Sequence, residues 1–177
     1  MLFLPCTALL IVPPADVCDS VDAWRRRYDP HCEHIPPHIT IAYPPFVPPE
    51  DWPVFSLGLA EILQSIPPFA ITLDGVDCFT GIPQILWLRP NQDGGLPRLR
   101  ELVETAFPQY VQALPYAYVP HMTVGQFDES SGLAAARADL QAGWRSLSFT
   151  VDRVFFAIQR DSGRWQVRDA VRLGLPV

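Results

Sequence analysis

The chain contains no lysine: all thirteen of its basic residues are arginines, set against nineteen acidic ones for a formal charge of −6. A surface of that sign repels extended runs of phosphate, which disfavours tight binding of long DNA or RNA, although a local arginine cluster still suits a short anionic ligand. Long apolar runs are missing too. The opening MLFLPCTALLIVPP has no basic leader, ends at a double proline and is too short to cross a bilayer, so it reads as a buried strand of a cytoplasmic protein without membrane attachment. The four cysteines, Cys6, Cys18, Cys32 and Cys78, include no CxxC pair, so neither a structural zinc module nor a disulfide framework is indicated. Charged residues are few, at 18% against 49% hydrophobic, which excludes a disordered or fibrous chain.

What is present is an alternation of strand-like and helix-like segments. PADVCDSVDAWRRRYDP places Val17, Val21, Trp24 and Tyr28 at helical spacing, with aspartates early and arginines late, as the helix dipole favours. HITIAY follows as a short strand, then a helix with Phe55, Leu59, Ile62 and Ile66 on one face, then the alternating FAITLDGVDCF. The second half repeats this order. ILWLRP reads as a strand, GLPRLRELVETAFP as a helix through Leu96, Leu99, Val103 and Phe107, HMTVGQF as a strand, and SSGLAAARADLQAG as a serine-capped helix. Two closing strands, LSFTVDRVFFAIQ and RWQVRDAVRLG, meet at Asp161-Ser162-Gly163.

The halves are in step. Strands starting near Leu2 and Ile85 lie 83 residues apart, as do His38 and His121. The expectation is an α+β fold: one domain over residues 1–177, with two pseudo-symmetric lobes at about 1–80 and 84–177, mostly antiparallel sheets flanked by helices, and a central cleft.

In an extended strand alternate side chains share a face, so His38 and Thr40 project together, roughly 7 Å apart, while Ile39 and Ile41 turn into the core. His121 and Thr123 stand likewise against Met122 and Val124. Two histidines near neutrality can divide the roles of general base and general acid, and two threonine hydroxyls can hold the oxygens of a tetrahedral anion. Such chemistry requires neither metal nor cofactor.

The stretches Pro37-His38-Ile39-Thr40-Ile41-Ala42-Tyr43-Pro44 and Pro120-His121-Met122-Thr123-Val124-Gly125, with FAITLDGVDCF, ILWLRP and a helix between them, resemble the 2H phosphoesterase superfamily and, within it, the 2′-5′ RNA ligase-like (LigT-like) proteins. The resemblance covers nearly the whole chain. It implies a bilobal fold and metal-independent hydrolysis of 2′,3′-cyclic phosphates of nucleotides or short RNA ends. It also implies a catalytic quartet of His38, Thr40, His121 and Thr123. Gln126 stands where many relatives carry an arginine, which favours a small ligand and motivates an alternative, a non-catalytic module that binds a phosphate ligand or RNA end.

Other residues invite weaker assignments. Tyr43, Tyr118 and Phe127 flank the two motifs and could stack a nucleobase, as could Tyr116, although packing accounts for each. Arg25, Arg26 and Arg27 read as a solvated helix end, with a reach toward phosphate as the alternative, and Arg89, Arg98 and Arg100 read as solvated surface. His31, Cys32, His34 and His38 are competent zinc donors, but their spacing matches no common site.

Overall fold

A computed structural model describes residues 6–91, 93–111, 115, 117–128 and 130–174. Each alternating segment of the sequence becomes a strand and each 3.6-periodic one a helix, in the order β1 (Thr7–Ile11), α1 (Ala15–Tyr28), β2 (Ile39–Ala42), α2 (Trp52–Leu63), β3 (Phe69–Phe79), β4 (Gln84–Pro90), α3 (Gly95–Ala106), β5 (Met122–Phe127), α4 (Ser130–Gly143), β6 (Leu147–Val151), β7 (Arg153–Gln159) and β8 (Trp165–Arg172). The strand start near Leu2 and the serine cap of α4 lie outside what is described.

The strands form two four-stranded sheets, ordered β2-β1-β7-β8 and β5-β4-β3-β6, with every pairing antiparallel. The arrangement is bilobal, but the lobes are not the two halves of the sequence. β3, from the first half, joins β4, β5 and β6, whereas β7 and β8 return to the other sheet, β7 beside β1 and β8 beyond it. The boundary expected near residues 80–84 thus falls inside the β3–β4 hairpin, and one sheet gathers its strands from both ends of the chain. LSFTVDRVFFAIQ is likewise two strands. Asp152 separates β6 in one sheet from β7 in the other; its carboxylate takes two 2.8 Å bonds from Arg153 and its carbonyl accepts the Leu173 N–H at 2.8 Å.

Helices cross between lobes as well. α1 packs on β5 and α3 touches β2, so each motif-bearing strand is backed by a helix from the other half. A single large cluster, running from Leu9, Ile39 and Ile41 through Leu86, Met122 and Val124 to Phe156, joins both sheets. A smaller apolar group, Ala8, Leu10 and Ala157 with Ile35 and Trp165 against it, lies on the other face of the first sheet. No helix among the described residues is long and apolar enough to cross a membrane.

Candidate active site

The sheet order puts β2 at one edge of its sheet and β5 at one edge of the other, and these two edge strands approach one another. Both motifs read buried, half-buried, buried, buried from the residue after the histidine: Ile39, Thr40, Ile41, Ala42 and Met122, Thr123, Val124, Gly125. The alternation seen in the sequence therefore holds through the threonine and breaks just after it. The break is a bulge. Leu9 and Leu10 pair with Ala42 and Thr40, skipping Ile41, and Leu86 and Trp87 pair with Gly125 and Thr123, skipping Val124. The same extra residue, one past the threonine, interrupts the ladder and bends each strand.

Each histidine sits one residue before its strand, and each places Nδ1 2.8 Å from the carbonyl two residues back, Pro36 for His38 and Val119 for His121. A carbonyl only accepts, so Nδ1 carries the proton in both rings and Nε2 keeps its lone pair for proton transfer. Both imidazoles are half-buried. Burial pushes His38 down to about 4; the charges of Arg25 and His121 push the same way, against the Pro36 carbonyl and Asp29. That coupling places His121 within electrostatic reach of His38. His121 is also lowered, by burial opposed by its bond to the Val119 carbonyl. Its ring meets Phe79 edge-on at 5.0 Å and 89°, and Trp87 at 5.9 Å and 60°. Trp87 is 4% exposed and its indole N–H has no partner among the described residues.

A cavity of about 560 Å³ opens beside His121, walled by Tyr43, Phe79, Ile82, Pro83, Ile85 and Val119. Of the aromatic residues singled out from the sequence, only Tyr43 lines it. Tyr118 meets Tyr43 at 6.3 Å, but its hydroxyl donates to the Thr40 carbonyl at 2.8 Å and its ring lies 4.6 Å from the Arg100 guanidinium. Burial, with the Tyr43 hydroxyl adding to it, keeps that phenol protonated. Phe127 packs on Tyr28 at 6.3 Å, away from the cavity lining, and Tyr116 lies outside the described residues. Phe79 and Ile82, from the β3–β4 hairpin, were not apparent as site residues in the sequence; their signal was only an apolar turn.

Two arginines are not where the sequence suggested. Arg25 is 2% exposed and Arg100 5%, so neither is a solvated surface group, whereas Arg26, Arg27, Arg89 and Arg98 are exposed. Arg25 completes the buried stripe Val17, Val21, Arg25 of α1, and its charge is met by Asp22 and Asp29. Arg100 reaches from α3 to the Ile41 carbonyl, at the bulge, and to Glu104. The rings of His31 and His34 lie 5.5 Å apart, tilted by 36°, but no three His, Cys, Asp or Glu side chains converge as a metal site among the described residues. All four cysteines are free thiols.

The model of the 2′-5′ RNA ligase superfamily matches residues 13–163. A Bacillus cereus protein named "Putative phosphoesterase" is 31% identical over 171 residues, covering 94% of this chain and 95% of its own. Among solved structures, Escherichia coli LigT complexed with 3′-AMP superposes with a TM-score of 0.67 at 19% identity, covering 96% of this chain and 98% of its own. A Thermus thermophilus protein gives 0.69 at 15% identity, covering 97% and 100%.

Proposed function

The chain belongs to the 2′-5′ RNA ligase superfamily, and from that premise we propose that it is a metal-independent phosphodiesterase that opens 2′,3′-cyclic phosphates of nucleotides or short RNA ends. The observation that carries the reading is the duplicated frame: two His-x-Thr motifs on facing edge strands, each with Nδ1 tied to a carbonyl and a bulge after the threonine. In the reaction, water attacks phosphorus as one Nε2 takes its proton. The bond from phosphorus to one ribose oxygen breaks, and the other histidine gives that oxygen a proton. The product is a phosphomonoester. Thr40 and Thr123 donate to the non-bridging oxygens, where negative charge gathers.

The apolar cavity beside His121 suits a nucleobase, with Tyr43 at its wall. The bound 3′-AMP of the LigT structure is a nucleotide of the size such a cavity takes. A charge of −6 argues for a small substrate.

The test is hydrolysis of nucleoside 2′,3′-cyclic phosphates in excess EDTA. Turnover is expected to persist under chelation and to be lost in both His38→Ala and His121→Ala. Activity that disappears with the chelator, or survives in both variants, overturns the reading. Gln126, in place of a cation, favours the alternative of a module that binds without turnover, and measurable turnover removes it.

A further inference from the structure

The two histidines share a backbone frame but not their surroundings. Near His38 lies a buried guanidinium with four of its five N–H donors engaged. Arg25 donates through Nε and Nη2 to Asp29 Oδ2 at 3.1 and 3.0 Å, through Nη1 to Asp22 Oδ1 at 2.8 Å, and through Nη2 to the Ile35 carbonyl at 2.9 Å. Asp29 uses its second oxygen to accept the His31 N–H at 2.9 Å, and the His34 carbonyl accepts the Trp165 N–H at 2.6 Å. The loop from Asp29 to His38 is thus tied at its start, and again one residue before the Pro36 carbonyl that holds the imidazole.

Burying such an ion cluster is weak evidence for stability, since well-packed apolar side chains usually do as well. A cluster kept inside α1 at that cost calls for another reason, and its position next to His38 supplies one. We propose that Arg25 is a positioning residue which, through Asp29 and the Ile35 carbonyl, fixes His38 as the proton acceptor of the pair and leaves His121 as the donor. This rests on the cyclic-phosphodiesterase reading for the reaction, but not for the positioning.

The charged groups that face His38 are Arg25 and Asp29, from α1 and its end, and His121, from the segment before β5. Two of the three are cationic when protonated, so a proton on His38 is disfavoured. His121 is bordered by the rings of Phe79 and Trp87, and burial, opposed by the Val119 carbonyl, accounts for its lowered proton affinity. When an anionic phosphate enters, its field draws a proton onto the imidazole that no guanidinium opposes. Water then yields its proton to His38 Nε2, the ribose oxygen receives one from His121 Nε2, and transfer between the two rings or with solvent restores the starting state.

The test is an NMR titration of both imidazoles in the wild type, Arg25→Gln and Asp29→Asn, with pH profiles of kcat/KM alongside. Loss of the cation is expected to raise the His38 pKa by about one unit, carrying the acid limb of kcat/KM with it, while loss of the carboxylate leaves it at or below the wild-type value. His121 stays put in both. Each variant breaks the same ion pair, so a purely structural role, in which a loosened loop admits water, raises His38 in both; that result, or no rise in Arg25→Gln, overturns the proposal. Should Arg25→Gln not fold, Arg25→Lys keeps the charge without the fork: His38 is expected to titrate as in the wild type while kcat falls at unchanged KM. An unchanged kcat there counts against it. A wild type that turns over no cyclic phosphate, yet shows these titration shifts, refutes the reaction and not the positioning.

Discussion

The two His-x-Thr motifs are alike in backbone and unlike in what holds them. In both, a carbonyl two residues back fixes the imidazole and a skipped residue after the threonine bends the strand. Around the first, the grip is polar and comes from helices and a loop: Arg25 on the Ile35 carbonyl, Arg100 on Ile41, Tyr118 on Thr40. Around the second, the grip is aromatic. Trp87 lies opposite Thr123, where Leu10 lies opposite Thr40, and Phe79 closes on His121. The geometry that chemistry needs twice is built locally, from short-range backbone bonds, while the environment that sets each proton affinity is built from distant residues and is free to differ.

The equivalence of the motifs is tested hardest by Thr40→Val and Thr123→Val. If the proposed hydrolysis uses both hydroxyls alike, each substitution lowers its kcat by about 10²–10³; a gap of tenfold or more between them breaks the symmetry of the proposed phosphate site. Their different support predicts different stabilities. Arg100→Leu, which strands a buried carbonyl and a phenol ring, should cost about 2–3 kcal/mol by denaturant unfolding. Phe79→Leu, losing one ring contact in the second motif, should cost about 1 kcal/mol. Tyr118→Phe removes a single hydrogen bond to Thr40 and should cost about 1 kcal/mol or less.

A separate effect is in pH. The folded-state pKa of His38, about 4, lies below its unfolded value of 6.5, so the folded state binds fewer protons throughout that window. The stability is present in full above pH 6.5 and is lost as pH falls toward 4. Melting temperatures followed across that range should fall, and His38→Asn should flatten the fall more than His121→Asn does.

Much of this was legible in the sequence, because it was local. Period-2 and period-3.6 patterns located the strands and helices among the described residues, with β6 and β7 read as one strand, and the repeated motif marked β2 and β5, the two edge strands that approach one another. Strand exchange was missed: LSFTVDRVFFAIQ has neither glycine nor proline to mark a change of sheet, only a one-residue slip of its alternation across Asp152 and Arg153, from Leu147, Phe149 and Val151 to Val154, Phe156 and Ile158. Nor were the bulges, which add a residue without changing composition. Arg25 and Arg100 were misread because an arginine signals solvent unless its carboxylate and carbonyl partners are known, and Ile35 and Ile41 are brought to them only by the fold.

The exchange of strands also bears on how the molecule is made. The second sheet draws only on residues 69–151, a continuous stretch, and can close as soon as that stretch is free of the ribosome. The first must wait: β1 and β2 emerge before the second sheet, yet β7 and β8 follow it in the chain, with synthesis running at about 5–20 residues per second. Until then β1 carries one open edge, the surface on a nascent chain most exposed to wrong pairing and the one a chaperone has most reason to cover.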